Sequence, residues 1–246
     1  MRMLLLLVSL CPIAAMADDV YVSPASKVTL VELYTSEGCS SCPPADRWLA
    51  ELRQSDRLWR DIVPVAFHVD YWDYLGWRDG FSSAAHSTRQ RTYAAQSHIE
   101  SVYTPGIVVN GAEYREFFNP ILRRRTLPEA TGEPGRLVLD RSGERVKLTF
   151  RGAPEARLVG HLAYLGLDIE RDIRRGENAG KTLRHEFVVL EHVTVEGSGT
   201  LSFDSHEVPA GADAIAAWVA APGDLRPVQA VGGLLTEAGP VSAPGT

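Results

Sequence analysis

The apolar residues early in the chain fall into two kinds of pattern. Val28 to Tyr34 (V-T-L-V-E-L-Y) is a short, β-branched, nearly continuous apolar run, which predicts a buried strand. Ala45, Trp48, Leu49 and Leu52 then recur at i, i+3, i+4 and i+7, predicting an amphipathic helix from near Cys39 to about Arg53. A second apolar run, Ile62 to Val69, follows after a short polar stretch, so the unit reads as strand, helix, parallel strand. Pro64 interrupts that strand's donors and is expected at an edge or a strand start. From Asp70 to Gly80 the pattern is irregular and aromatic, and Asp79 is placed to cap a helix from about Gly80 to Ala95. Asn110-Gly111 between Ile107–Val109 and Ala112–Tyr114 predicts a tight hairpin. Asn119-Pro120 predicts the start of a further helix through Arg125, with Arg123 to Arg125 on a solvated face.

Residues 128–135 are rich in Pro, Gly and Glu and predict a linker. Beyond it the period changes to two: Leu137, Leu139, a Ser142-Gly143 turn, then Val146, Leu148 and Phe150. Further strands are predicted at Leu158–Leu165, Glu186–Val195, Leu201–Phe203 and Ile215–Ala220, with no good helical stretch among them. The expected organisation is an α/β domain over residues 18–127, a mostly-β, sandwich-like domain over 136–233 and a flexible tail over 234–246.

Met1 to Ala17 changes the picture of where the protein works. Arg2, the apolar Leu4–Leu10 and the small-x-small Ala15-Met16-Ala17 read as a signal peptide, far shorter than the roughly 20 residues of a bilayer crossing. Leu10 before Cys11 argues against a lipoprotein anchor there, since a small residue is wanted. The expected localisation is periplasmic or secreted, with no membrane span in the mature chain. With 25 Lys+Arg against 31 Asp+Glu and 45% hydrophobic residues, the 246-residue chain is neither disordered nor fibrous, and its acidic balance argues against nucleic acid as a partner.

Removing the signal leaves Cys39 and Cys42, spaced C-x-x-C, in a compartment where disulfides persist. That spacing alone fits half a zinc site, a copper(I) site, a structural disulfide or a redox dithiol. Position favours the dithiol: a Cys in the first turn of a helix faces unpaired amides and the positive end of the macrodipole, which favours its thiolate. Cys39 is thus the expected nucleophile, solvent-reachable and ionised near neutrality, and Cys42 the resolving thiol, working through a mixed disulfide. Glu37 opposes the thiolate by like charge. His68 shares a strand side with Asp70 and is the candidate third ligand in the metal reading. Tyr71, Trp72, Tyr74 and Trp77 form either a peptide-binding lip or packing onto the helix face. Gly176 to Thr182 lacks the glycine spacing and the strand-to-helix setting of a phosphate loop.

Val31 to Leu52 (V-E-L-Y-T-S-E-G-C-S-S-C-P-P-A-D-R-W-L-A-E-L), with Tyr103-Thr104-Pro105 before a strand and an Asn-Gly hairpin, resembles the thioredoxin fold. The chain as a whole resembles the DUF1223 family of secreted bacterial thioredoxin-like proteins of unknown function, through His68 to Asp73 and Gly176 to Gly180 as well. The resemblance implies a thioredoxin-like first domain, a cis bond before Pro105, and Thr104 facing a bound partner. It also makes Glu32 a candidate proton carrier for the inner thiol, against a solvent-facing alternative, because a one-residue shift on a strand reverses the side. Gly176 to Gly180 is then expected as a turn touching the first domain. Ser40-Ser41 stands where thioredoxin has Gly-Pro, so no redox potential carries over. The function expected is an exported thiol-disulfide oxidoreductase with a protein thiol or disulfide partner, needing no dissociable cofactor or metal. The alternatives are a copper(I)-handling protein and a binding module with a structural disulfide.

Overall fold

The computed structural model describes residues 18–119, 127–152, 157–203 and 207–236. The expectations for residues 1–17, for the helix after Asn119 and for residues 237–246 lie outside the described residues. No helix among the described residues is long and apolar enough to cross a membrane.

After β1 (Asp18–Val22), the predicted strand–helix–strand unit forms as β2 (Thr29–Thr35), α1 (Pro43–Ala50) and β3 (Ile62–His68), with β2 and β3 parallel from Thr29 opposite Ile62 to Thr35 opposite His68. Helix α1 buries Ala45 and Leu49; full burial of a leucine contributes about 2 kcal/mol. Helix α2 (Ala84–Ala95) starts later than predicted and is capped by Ser83, whose Oγ accepts from the Ala85 amide at 3.1 Å, not by Asp79. The Asn110-Gly111 hairpin joins β4 (Gly106–Val109) to β5 (Ala112–Glu113). Both turn residues have positive φ, 52° and 83°, and a Cβ on Gly111 would fall on Arg226.

The second half supplies β6 (Gly135–Ser142), β7 (Arg145–Gly152), β8 (Arg157–Gly166), β9 (Ile169–Asp172), β10 (Thr182–His185), β11 (Val188–Ser198), β12 (Thr200–Phe203), β13 (Ala214–Ala220) and β14 (Pro227–Leu234). An eight-stranded mixed sheet runs β14-β13-β8-β11-β3-β2-β4-β5, a four-stranded sheet runs β1-β6-β7-β12, and β9 pairs with β10 alone.

This arrangement corrects the expected fold class. The chain does not build an α/β thioredoxin-like domain followed by a separate sandwich; it is mostly β, with two α-helices among the described residues, and strands from both halves share one sheet. The physical reason lies at the far edge of β3. The Ala66 amide donates to Phe187 O at 2.8 Å and Val188 of β11 pairs with Ala66, so the first half's sheet continues into β11, β8, β13 and β14. Pro64, two residues before Ala66, directs its missing donor to this same side, where β3 pairs only at Ala66.

Burial on both faces explains why β13, unlike β6 and β7, does not alternate in polarity. In β13, Ala214, Ala216 and Trp218 enter the core beneath the helices, whereas Ile215, Ala217 and Val219 enter a second core against Leu137, Leu139, Val146 and Leu148 of the small sheet.

Arg89 of α2 ties the helix to this joined sheet. Its Nε donates to Glu32 Oε2 at 2.8 Å and its Nη2 to Oε1 at 3.1 Å, while the guanidinium lies over Phe67 and Trp218 at 5.5 and 5.3 Å. Tyr34 and Tyr93 hydroxyls also donate to Glu32. Glu32→Gln leaves a buried guanidinium without its counter-charge, and urea unfolding should show a loss of about 3–5 kcal/mol; a loss under about 1 kcal/mol would show that the pair does not anchor α2.

Three imidazoles lie near this arginine, those of His86 and His161 buried and that of His192 partly buried. Burial pulls His86 down to about 4, and His161 and His192 well below the ordinary histidine range, Arg89 adding to each. Their unfolded value is near 6.5, so the unfolded chain takes protons first and stability falls as pH drops from 6.5 toward 4. For His86 alone the full loss is about 3 kcal/mol. His68, raised by Asp79, acts the other way, giving stability below 6.5 that is lost as pH rises through its folded value. Urea midpoints should therefore fall between pH 7 and 4.5, and His161→Phe should flatten that slope; an unchanged midpoint would contradict the assignment.

Candidate functional site

Strands β2 and β3 end together at Thr35 and His68, and the chain leaves β2 through the Ser36–Ser41 turn. The Cys39 amide donates to Ser36 O at 3.1 Å and the Cys42 amide to Cys39 O at 3.2 Å. Cys39 and Cys42 form a disulfide with Cα atoms 5.5 Å apart. Two expectations about it need correction. Helix α1 begins at Pro43 with Cys42 at its N-cap, so Cys39 lies in the turn before the helix; Pro43 and Pro44 have no amide hydrogens, which removes two donors a helix start normally offers. Cys39 is also not solvent-reachable in this state: it is 1% exposed and Cys42 0%, although Ser40 and Ser41 between them are exposed. Ser41 Oγ lies 3.3 Å from Cys39 Sγ.

Strand β4 runs antiparallel to β2 with Gly106 opposite Tyr34, so Thr104 and Pro105 lie at the end of β2 from which the cysteine turn departs. The Thr104–Pro105 bond is cis. Trp72 connects the two loops: its Nε1 donates to Thr104 Oγ1 at 2.7 Å, and a Cβ on Gly38 would meet Trp72 Cβ at 3.1 Å. The aromatic segment divides between packing and exposure. Tyr71 donates to Gln90 Oε1 at 3.0 Å and Trp77 Nε1 to Glu37 Oε2 at 2.7 Å, whereas Tyr74 is 78% exposed.

Behind the disulfide is a buried polar cluster. Asp46 follows Cys42 by four residues and so shares its helix face. Its Oδ1 accepts from Thr35 Oγ1 at 2.8 Å. His68 Nδ1 is 2.7 Å from Asp79 Oδ2, which also accepts from the Glu37 amide at 2.9 Å. The Glu37 carboxylate accepts from Arg171 Nε at 3.3 Å and lies 3.5 Å from His185 Nε2; the His68 and His185 rings are 5.0 Å apart. Among the described residues, His68 Nε2 and both ring nitrogens of His185 have no hydrogen-bond partner. Burial raises the Asp46 carboxyl above its ordinary range, even with His185 and His68 opposing. Burial alone would lower His68, but Asp79 outweighs it and holds the imidazole protonated to higher pH, while His68 in return helps hold Asp79 at about 2.

The other sequence candidates separate. Glu32 and Thr35 point to opposite faces of β2, Thr35 to Asp46 of α1 and Glu32 to Arg89 of α2, so Glu32 is not brought to the cysteines. His68 turns to Asp79, whereas Asp70 accepts from Ser87 Oγ of α2. No group of three or more His, Cys, Asp or Glu among the described residues is arranged to hold a metal.

The Gly176–Gly180 turn between β9 and β10 does reach the first half. Asn178, fully buried, donates from Nδ2 to both Glu37 O and Cys39 O at 2.9 Å, and its Oδ1 accepts from Lys181 Nζ at 2.9 Å. The Ser40 amide donates to Glu177 Oε2 at 3.0 Å, which lowers the Glu177 pKa. Sequence reasoning did not assign Asp46, Asp79, His185, Glu177 or Asn178 to the site. Helical spacing from Cys42 was a usable signal for Asp46; Asp79, Glu177 and Asn178 come from loops and His185 from the end of the short strand β10, none with a local pattern that gives its placement.

Residues 30–220 match the family DUF1223, described as a protein of unknown function. Among solved structures, the chain is similar to protein AGR_C_4864 from Agrobacterium tumefaciens, with 27% identity, 86% of this chain and 96% of that chain covered and a TM-score of 0.60. It is also similar to HBP35 of Porphyromonas gingivalis, with 13% identity, 90% and 79% covered and a TM-score of 0.51, a likeness of fold alone. Curated proteins return no match. With more than half its length matched, this chain belongs to the DUF1223 family.

Proposed function

We propose that this protein is an exported thiol-disulfide oxidoreductase, working in the periplasm or outside the cell on protein thiols or disulfides. The observation that carries the reading is the setting of the Cys39–Cys42 bond at the end of β2. It has the Thr104–Pro105 loop at the same end of the sheet and, starting from Glu37 in the turn and Asp46 in the helix that follows, a buried polar cluster with His68, Asp79 and His185.

Starting from the disulfide, a partner thiolate attacks Cys39 Sγ; the Cys39–Cys42 bond breaks and its electron pair leaves on Cys42 Sγ. A thiolate at a fully buried position is costly, so Cys42 takes a proton, and Asp46 on the same helix face is the nearest source by sequence geometry. A second partner thiolate then displaces Cys39 from the mixed disulfide. Cys39 leaves as a thiolate and takes a proton from solvent, and the two protons that the partner thiols released to solvent on ionising balance this one and the one returned to Asp46. In sum two electrons and two protons pass from the partner dithiol to the cysteine pair, and the reverse sequence oxidises the pair with a disulfide substrate. Thr104 and Pro105, at the same sheet end, hold the partner's backbone. A second reading, a binding module with a structural disulfide, is favoured by one observation, the near-complete burial of both cysteines.

Trapping separates the two. Cys42→Ser should accumulate mixed disulfides on Cys39 when incubated with oxidised glutathione or scrambled protein disulfides, and Cys39→Ser should not, as read by intact mass; equal behaviour with equal loss of stability supports the structural disulfide. Asp46 tests the proton step. Its carboxyl is raised above 3.8, so it is protonated, and able to donate, over a wider acidic range than an ordinary aspartate. Asp46→Asn keeps an acceptor for Thr35 and should slow reduction of the pair by dithiothreitol by about a hundredfold. The ratio of wild-type to variant rate should be largest at low pH and shrink as pH rises through the Asp46 pKa. A ratio near one at every pH would remove Asp46 from the mechanism.

A further inference from the structure

The cysteine turn is closed over by residues more than a hundred positions away, and the hydrogen bonds that the Gly176–Gly180 turn makes to it go to its backbone. Asn178 Nδ2 bridges the carbonyls on either side of Gly38, those of Glu37 and Cys39, and the Glu177 carboxylate holds the amide of Ser40, the residue next to Cys39. The turn that carries them has glycines in left-handed conformation at both ends, Gly176 at φ 76° and Gly180 at φ 81°, and projects from the isolated β9–β10 pair.

We propose that the Gly176–Gly180 turn is a strap that sets both the access and the redox equilibrium of the cysteine pair, with Asn178 and Glu177 as its positioning residues. This deepens the proposed function by assigning the regulation of the same site, and rests on it only for the use of the pair in exchange with a partner.

With the strap seated, the cysteine turn is held in the conformation in which Cys39 is sealed, so an incoming thiolate reaches Cys39 only after the Asn178 bridge opens. The helix start supplies no amide at Pro43 or Pro44 to offset a negative sulfur, and the Ser40 amide is already engaged by a carboxylate. The Glu177 carboxylate makes its charge-assisted bond to the Ser40 amide in the disulfide conformation of the turn, so what that bond contributes is weighted to the oxidised state. Glu177 favours the disulfide over the reduced pair and makes the dithiol more reducing, whereas reduction loosens the strap; linkage requires both effects to be equal in size.

The test uses the mature chain and three proteins: wild type, Glu177→Gln and Asn178→Ala. The equilibrium is measured in dithiothreitol redox buffers, where the cyclic disulfide of the reagent forms as the pair takes up two electrons and two protons. Glu177 is on the surface, so Glu177→Gln keeps the experiment decisive if Asn178→Ala folds poorly. Glu177→Gln should shift the equilibrium toward the reduced pair by about tenfold, which is about 30 mV for a two-electron couple. Asn178→Ala should speed opening by dithiothreitol by about tenfold or more. Variants that lower the melting temperature but leave equilibrium and rate within about twofold of wild type overturn the proposal, as does a shift toward the disulfide in Glu177→Gln. Because dithiothreitol needs no docking site, these measurements stand even if the trapping of protein partners fails, and the two readings fail separately.

Discussion

Much of this structure follows from what happens to the second edge of β3. A buried strand has donors and acceptors on both sides, and those left without partners away from water are expensive. β2 satisfies one side of β3; on the other, the Ala66 amide finds Phe187 O and the ladder continues into β11. That junction brings the second half of the chain onto the first. It sets Trp218 against Arg89 and Phe67, places His185 beside His68, and aims the β9–β10 pair at the cysteine turn.

The site's chemistry then depends on burial more than on the helix start. An exposed dithiol can leave its charge to water. Here the sulfurs are enclosed, two prolines replace the first amides of α1, and carboxylates lie at Glu37, Asp46 and Glu177 around them. Such surroundings favour neutral sulfur, in a disulfide or as protonated thiols, so electron transfer at this pair must be accompanied by proton transfer. Asp46, buried, bonded to Thr35 and with its carboxyl raised, is a group suited to that task, and His68 and Asp79 form a second buried polar pair at the same end of the sheet.

How far the sequence was legible depended on the range of the interaction. Local rules located β2, α1, β3 and the Asn110-Gly111 hairpin, because continuous apolar runs, a 3.6-residue stripe and a left-handed turn are properties of neighbours along the chain. They failed where partners are distant. β1, β9, β10 and β14 were missed because short or glycine-containing strands carry little pattern, and the fold class was wrong because nothing local in Ile62 to Val69 says what will pair with its far side. The same limit applied at the site: the cysteines, Thr104 and Pro105 were visible as motifs, whereas Asn178 became significant only once its side chain was found bridging Glu37 and Cys39. The one-residue shift that separates the two faces of β2 was legible for Glu32, but neither alternative drawn from it, proton carrier or solvent-facing side chain, included its burial against Arg89.

The central claim is that a disulfide sealed in the resting fold is still a working dithiol, with Cys39 as the sulfur that opens. The most direct check is to treat native protein with dithiothreitol without denaturant, then with iodoacetamide across a pH series, and locate the label by mass spectrometry. The account predicts full reduction in the native state, rapid labelling of Cys39 and slow labelling of Cys42. Reduction that requires denaturant, or equal labelling of both residues, would contradict it.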